Sequence, residues 1–447
     1  MITRKERREA EKKINYLLEF QKITNHFFKD FNKWLKNVAD MRNQSYITYP
    51  PEVLLLMLIM KHVTGLKSMR EMTIQFNTDQ AIKNVGIILN LPDLSELPHY
   101  DTINNFLEKL HVDELEKLRY NMVRRLINKK SLNRYRLGIN GIYHWKVAVD
   151  GTGLFTFKER HCDHCLTRER TNSKTGEVSV TYYHHVLEAK LVLGDMVISL
   201  ATEFIENERE GVTKQDCELK AFYRLSARLK KAFPRLNICI LGDSLYACGP
   251  VFELCEANNW QYIFRFKDGS IPTVARKYGV LKEEATDNQT IKHFGEEKWE
   301  MRWANGIGYQ GKSLHICELA VYEADELTQT FAFLASFLIT EKNVERVVRA
   351  GRSRWRIENE GFNRQKNHRG YIQHLNSHDS VSMKNHYLII QIAEIIMVLF
   401  EKGLDFFQKY HKTIKEKSSK LLEAFRLRTL TEEDLTWLEI PIQIRFT

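Results

Sequence analysis

No uninterrupted apolar run in this 447-residue chain is long enough to span a bilayer. The most apolar stretches are Val53 to Met60 and Tyr387 to Phe400, and the second is broken by Gln391 and Glu394. Both are expected to be buried helices. The opening residues, MITRKERREAEKK, are charged and contain no apolar signal-peptide core. A soluble cytoplasmic protein with no membrane partner is the expectation. Cysteine is sparse, with seven residues and a single close pair, which excludes a disulfide framework. Neither a Ser/Gly/Pro-rich linker nor a repeat period marks domain edges, so boundaries follow from changes in pattern.

Composition then narrows the class. Hydrophobic residues at 43% predict a globular chain, and the length exceeds one ordinary domain. The formal net charge of +10 favours a polyanionic partner. Arg119, Arg124, Arg125, Lys129, Lys130, Arg134 and Arg136 form a run with no intervening acid. That run suits a solvated helix face as well as phosphate contact, with Arg125 and Lys130 as candidate DNA-binding residues. A second cluster, Arg346, Arg349, Arg352, Arg354, Arg356, Arg364, Lys366 and Arg369, surrounds Glu358, and DNA contact is the better reading there.

Three segments carry the chemistry: VAVDGTG around Asp150, ILGDSLYA around Asp243, and RSRWRIENEGFNRQKNH around Glu358. The two aspartates follow short apolar runs, Trp145 to Val149 and Ile238 to Leu241, which read as buried strands whose carboxyl ends open on a functional crevice. Val344 to Lys366 reads as a helix that places Arg354 and Glu358 on one face. Three convergent carboxylates suit a pair of Mg2+ or Mn2+ ions and phosphodiester chemistry. Around them the pattern predicts hairpin strands at Val180 to Leu193 and Met196 to Phe204 joined by Gly194-Asp195, a helix from Glu218 to Phe233, a second helix through Cys248 to Asn258, and a strand at Trp260 to Phe266. An α/β fold with a mixed sheet follows, preceded by a helical N-terminal region.

These motifs resemble the bacterial insertion-sequence DDE transposases marked by a YREK signature, Y-x2-R-x3-E-x6-K. Arg354 and Glu358 match its Arg and Glu, while Gly351 stands at the Tyr position and Gln365 at the Lys position, with Lys366 one residue on. The resemblance implies an RNase H-like core, catalytic and metal-binding roles for Asp150, Asp243 and Glu358, and phosphate contacts from Arg354, Arg356 and, if the helix shifts, Lys366. It further implies cleavage at transposon ends with strand transfer into target DNA, and a homodimer on paired ends at the nucleoid. Its partners would be double-stranded terminal inverted repeats and target DNA, the former read by the N-terminal helices, which serve equally well as support for the core. A nuclease that cleaves without joining, and a degenerate DNA-binding relative, are the rivals.

The alternating segment from Lys267 to about Asp325 reads as the β-rich insertion that such transposases carry. Trp299 and Trp303 fall within it; an aromatic there is ordinarily core, and the alternative is stacking on an extruded base. The division expected is a helical region over 1–140, a first core part over 141–266, the insertion over 267–330, a second core part over 331–402, and a helical tail over 403–447. Finally, Cys162 and Cys165 in HCDHC, with His161, His164, His184 and His185 as further donors, form a candidate zinc site, although one CxxC without a second pair points first to unligated thiols.

Overall fold

Eleven strands between Leu137 and Ala335 join one mixed sheet in the computed structural model, which describes residues 14–404, 407, 412–440 and 444. In chain order they are β1 (Leu137–Ile139), β2 (Ile142–Phe157), β3 (Leu166–Thr171), β4 (Val178–Leu193), β5 (Met196–Ile205), β6 (Ile238–Gly242), β7 (Gln261–Phe266), β8 (Gln289–Phe294), β9 (Glu297–Tyr309), β10 (Lys312–Glu323) and β11 (Glu326–Ala335). The spatial order is β3-β4-β2-β6-β7-β11-β10-β9-β8, with β1 also on β2 and β5 also on β4.

The centre of the sheet explains the apolar runs. β6 is parallel to both β2 and β7, and all five of its residues are buried. A strand covered on both faces needs a continuous apolar run rather than an alternating one. β4 pairs antiparallel with β2 and β5. Its two-residue connection to β5 begins at Gly194, whose φ of +63° suits glycine.

The predicted insertion is not a separate layer. Its strands β8 to β11 form an antiparallel meander that continues the central sheet through β11 and β7, pairing Ala332 with Phe266. A helix, Pro272–Glu284, precedes the meander and is absent from the alternation-based reading; proline at its first turn needs no partner for its missing N–H. Trp299 and Trp303, 4% and 5% exposed, pack in a core with Val344, Val347 and Val348 of the helix Val344–Arg352. Their burial fits the ordinary core reading of an aromatic in such a strand and leaves little of either ring for stacking on a base.

Nor do the N-terminal helices stand apart. Pro51–Val63, Tyr100–Lys109 and Val112–Ile127 pack around Ser380–Gly403. That 24-residue helix is the one among the described residues long and apolar enough to cross a membrane, and its surface is buried inside the protein. An all-round apolar helix is expected where neighbours cover every face. Asn385 on it donates to Leu107 O and Leu110 O at 2.8 and 2.7 Å, capping the end of Tyr100–Lys109. Asn84 likewise donates to Phe425 O at 2.9 Å, tying the N-terminal helices to Ile414–Leu427.

Several charges read as DNA contacts are structural. Arg119 is fully buried, donating to Ser199 and Thr202 at 2.7 Å and pairing with Glu116. Arg364 and Arg369 are buried against Glu394 and Glu401 of the central helix. Buried guanidinium groups persist because carboxylates and hydroxyls replace their lost water.

Candidate active site

Asp150 and Asp243 meet through strand register. The parallel pairing of Trp145 with Ile238 runs to Ala148 with Leu241, so two residues on, the register brings Asp150 level with Asp243. β6 stops at Gly242, whereas β2 runs on to Phe157. Asp150 is therefore not the last residue of its strand; it sits where its parallel partner ends. Asp243 caps the short turn Ser244–Tyr246 by accepting from Leu245 N at 2.8 Å.

Glu358 reaches the same place from the other side of the sequence. The helix Val344–Arg352 passes through a tight turn, Ser353–Trp355, into a π-helical turn over Ile357–Asn363. Burial raises the Asp150 pKa; Arg354 opposes that rise, and the charges of Asp243 and Glu358 reinforce it. Arg354 Nη1 lies 2.7 Å from Asp150 Oδ2, and Gly151 N donates to Asp150 Oδ1 at 3.1 Å. Asp150 thus lies beside one guanidinium and within electrostatic reach of two further carboxylates.

The π turn accounts for the displaced lysine. In an α-helix the residue seven beyond Glu358 would share its face, but i→i+5 bonding widens a turn and advances later residues by about one position. Lys366 Nζ accordingly lies 3.7 Å from Glu358 Oε1. Gln365 is instead fully buried and exchanges hydrogen bonds of 3.0 and 3.2 Å with Gln391. The missing tyrosine also has a steric cause, because a Cβ on Gly351 would approach the Phe333 ring to 2.4 Å.

Other candidates are distributed less tightly. Arg356 is near enough to Lys146 to lower its pKa further after burial has done so. Arg125 and Lys130 are exposed, and Arg125 pairs with Asp30. Cys162 and Cys165 lie in the turn after β2, their sulfurs 3.6 Å apart.

Four residues at or beside the site are given no role there by the sequence reading, which names His185 only as a candidate zinc donor. Glu218, at the start of the helix Glu218–Ala232, accepts from Tyr246 Oη at 2.6 Å. Burial raises its pKa, the Tyr246 bond opposes this, and Asp150 and Asp243 add to it. His185 on β4 is nearby: a Cβ on Gly151 would meet Glu218 Oε2 at 2.8 Å and His185 Nε2 at 2.9 Å. Gly151 thus leaves room for an acid and for an imidazole whose Nε2 is buried without a hydrogen-bond partner. Trp355 is 54% exposed, with the Arg354 guanidinium 5.0 Å from its ring centre. An acid at a helix start, a histidine in an alternating strand and an aromatic in a basic helix all have ordinary local explanations, and only the place of Trp355 between Arg354 and Arg356 could have singled it out.

Residues 3–109 match the family model Transposase domain (DUF772). The match supports a transposase, a DNA-processing protein. It covers N-terminal helices and none of the acids, which lie on the sheet and the Glu358 segment. No curated protein matches the chain.

Proposed function

We propose that the chain is a DDE transposase with an RNase H-like core, which cuts DNA at the ends of a mobile element and joins them to target DNA. The observation that carries this is the register of Asp150 beside Asp243, with the charge of Glu358 felt at Asp150. The strand order β5-β4-β2-β6-β7, with three parallel strands after an antiparallel pair, supports the RNase H-like reading, and the transposase-domain match supports the class.

The donor set fits two Mg2+ or Mn2+ ions: hard carboxylate oxygens, partly exposed, one of which has its pKa raised by burial and, to a lesser degree, by its acidic neighbours. Asp150, Asp243 and Glu358 would hold them, and the chemistry such a pair supplies is stabilisation of the attacking and leaving oxygens of an in-line displacement. Arg354 favours the ionised form of Asp150 against the effect of burial and presents a guanidinium to the phosphate. Lys366 adds a point charge beside Glu358, and Arg356 extends the basic surface. Trp355, rather than Trp299 or Trp303, is the aromatic available to stack on a base. Exposed Arg125 and Lys130 would add sequence-independent attraction to double-stranded DNA. Processing two ends together calls for a homodimer on paired ends, acting at the nucleoid.

The test is cleavage and joining of DNA that carries the ends flanking the gene, in Mg2+, by wild type and Glu358→Gln. Joined products from wild type alone are expected. Cleavage without joining would replace the proposal with a nuclease, and binding without chemistry from either protein would replace it with a degenerate DNA-binding relative.

A further inference from the structure

Beyond the end of β2, the turn Lys158 to Cys165 and the facing strand β4 bring four metal-type donors together. Cys162 Sγ and Cys165 Sγ are 3.6 Å apart, and they lie 3.5 and 3.4 Å from the same atom, His184 Nε2. Zinc bonds of about 2.3 Å to sulfur and about 2.0–2.1 Å to nitrogen, at tetrahedral angles, require ligand separations of about 3.5–3.8 Å. All three edges agree to within a few tenths of an ångström. Hydrogen bonding accounts for the triangle less well, because one imidazole nitrogen has a single lone pair and cannot accept in line from two thiols.

His161 completes the set. Its ligand atom lies within 4.8 Å of those of Cys162 and His184, a grouping that does not extend to Cys165, so this ring has to move inward to close the tetrahedron. Its Nε2 bonds His378 Nδ1 at 2.9 Å, while its Nδ1 is buried with no hydrogen-bond partner. A ring held through one nitrogen with the other left bare is how an outer partner orients a metal-binding histidine. The scaffold is fixed as well. Cys165 N donates to Cys162 O at 3.3 Å, closing the turn, and Asn207 Nδ2 donates to Cys165 O at 2.9 Å. His164 bonds Asn207 O at 2.9 Å and so is held by the backbone.

We propose that Cys162, Cys165, His184 and His161 bind one structural Zn2+, with His378 as the outer partner of His161. Four protein ligands leave no open position, so the ion is a clasp rather than a catalyst. It fastens the β2–β3 turn to β4 and, through His378, to the segment that follows the Glu358 turn. It stands independently of the transposase reading.

The experiment is metal analysis of the full-length chain, purified without chelator and compared with Cys162→Ser/Cys165→Ser and with Cys217→Ser. About one zinc per chain is expected in wild type and Cys217→Ser, and none in the double variant. His378→Ala should weaken zinc affinity by roughly 10–100-fold. Should the double variant fail to fold, Co2+ replacement in wild type decides the matter, with thiolate charge-transfer bands and intense tetrahedral d–d bands expected. Folded wild type that takes up neither metal, an octahedral cobalt spectrum, a Cys162–Cys165 disulfide, or undiminished zinc in the double variant would each overturn the proposal.

Discussion

Arg354 and Asp150, 204 residues apart in sequence, form an ion pair of 2.7 Å between Nη1 and Oδ2. Burial raises the Asp150 pKa, and Arg354 is the strongest influence opposing it. For Arg354→Ala the sign is therefore fixed: the Asp150 pKa rises further, and the acid limb of a cleavage pH–rate profile moves to higher pH. Activity should fall at least tenfold at neutral pH. An acid limb that stays in place would show that Asp150 is not the titrating group.

Lys366 and Gln365 should behave oppositely to a signature read by spacing alone. Lys366→Ala should lower cleavage about tenfold or more without changing the melting temperature. Gln365→Lys should fail to improve cleavage and should destabilise the fold by about 1–3 kcal/mol, because it breaks the pairing with Gln391 and buries a charge. Thermal melts and single-turnover cleavage of both variants distinguish the positions.

Gly351 has no room for a side chain. Gly351→Ala gains helix propensity of about 1 kcal/mol, yet its Cβ would overlap the Phe333 ring. Net destabilisation of about 1–3 kcal/mol is expected by denaturant titration. Combining it with Phe333→Leu should recover part of the loss, and additive losses would exclude the clash.

The two kinds of tryptophan should separate cleanly. Trp299→Ala removes a buried side chain and should cost about 3–5 kcal/mol of stability. Trp355→Ala should leave stability nearly unchanged and impair DNA processing. If Trp355→Ala cleaves and joins DNA at the wild-type rate, the ring has no part in substrate binding.

Glu401 links stability to pH. Burial alone would raise its carboxyl, but Arg369 and Arg364 hold it down to about 2, against an ordinary value of 4.5. A depressed carboxylate stabilises the fold above its unfolded value, and this contribution disappears as pH falls from about 4.5 towards 2. Wild type should lose more stability across that window than Glu401→Gln. At neutral pH the variant should cost about 3–5 kcal/mol, since the guanidinium groups stay buried with one carboxylate fewer. Parallel acid titrations of the two proteins would remove Glu401 from this role.

Much of the fold was legible because local patterns decide local conformation. The hairpin about Gly194-Asp195, the helix at Glu218 and the strands holding Ile238 to Leu241 and Trp260 to Phe266 all appear within a residue or two of their predicted limits. The helix Pro272–Glu284 is hidden because its mixed polar and apolar residues sit within a segment dominated by alternation, and the pattern of Val344 to Lys366 predicts a regular helix where the backbone widens into a π turn.

By itself the sequence determined which carboxylates exist, their order and the strand and helix character around them, since these depend on residue type and short-range periodicity. Tertiary structure alone decided which charges face water. Arg119, Arg364 and Arg369 look like Arg125 and Lys130 in a string of letters, yet packing buries the first three against acids distant in sequence, as Arg119 is against Glu188, and leaves the other two exposed. The same holds for His184 reaching the Cys162–Cys165 turn and Glu218 reaching Asp150. Sequence spacing constrains neighbours along a helix or strand, whereas contacts between elements are chosen by how their apolar faces pack.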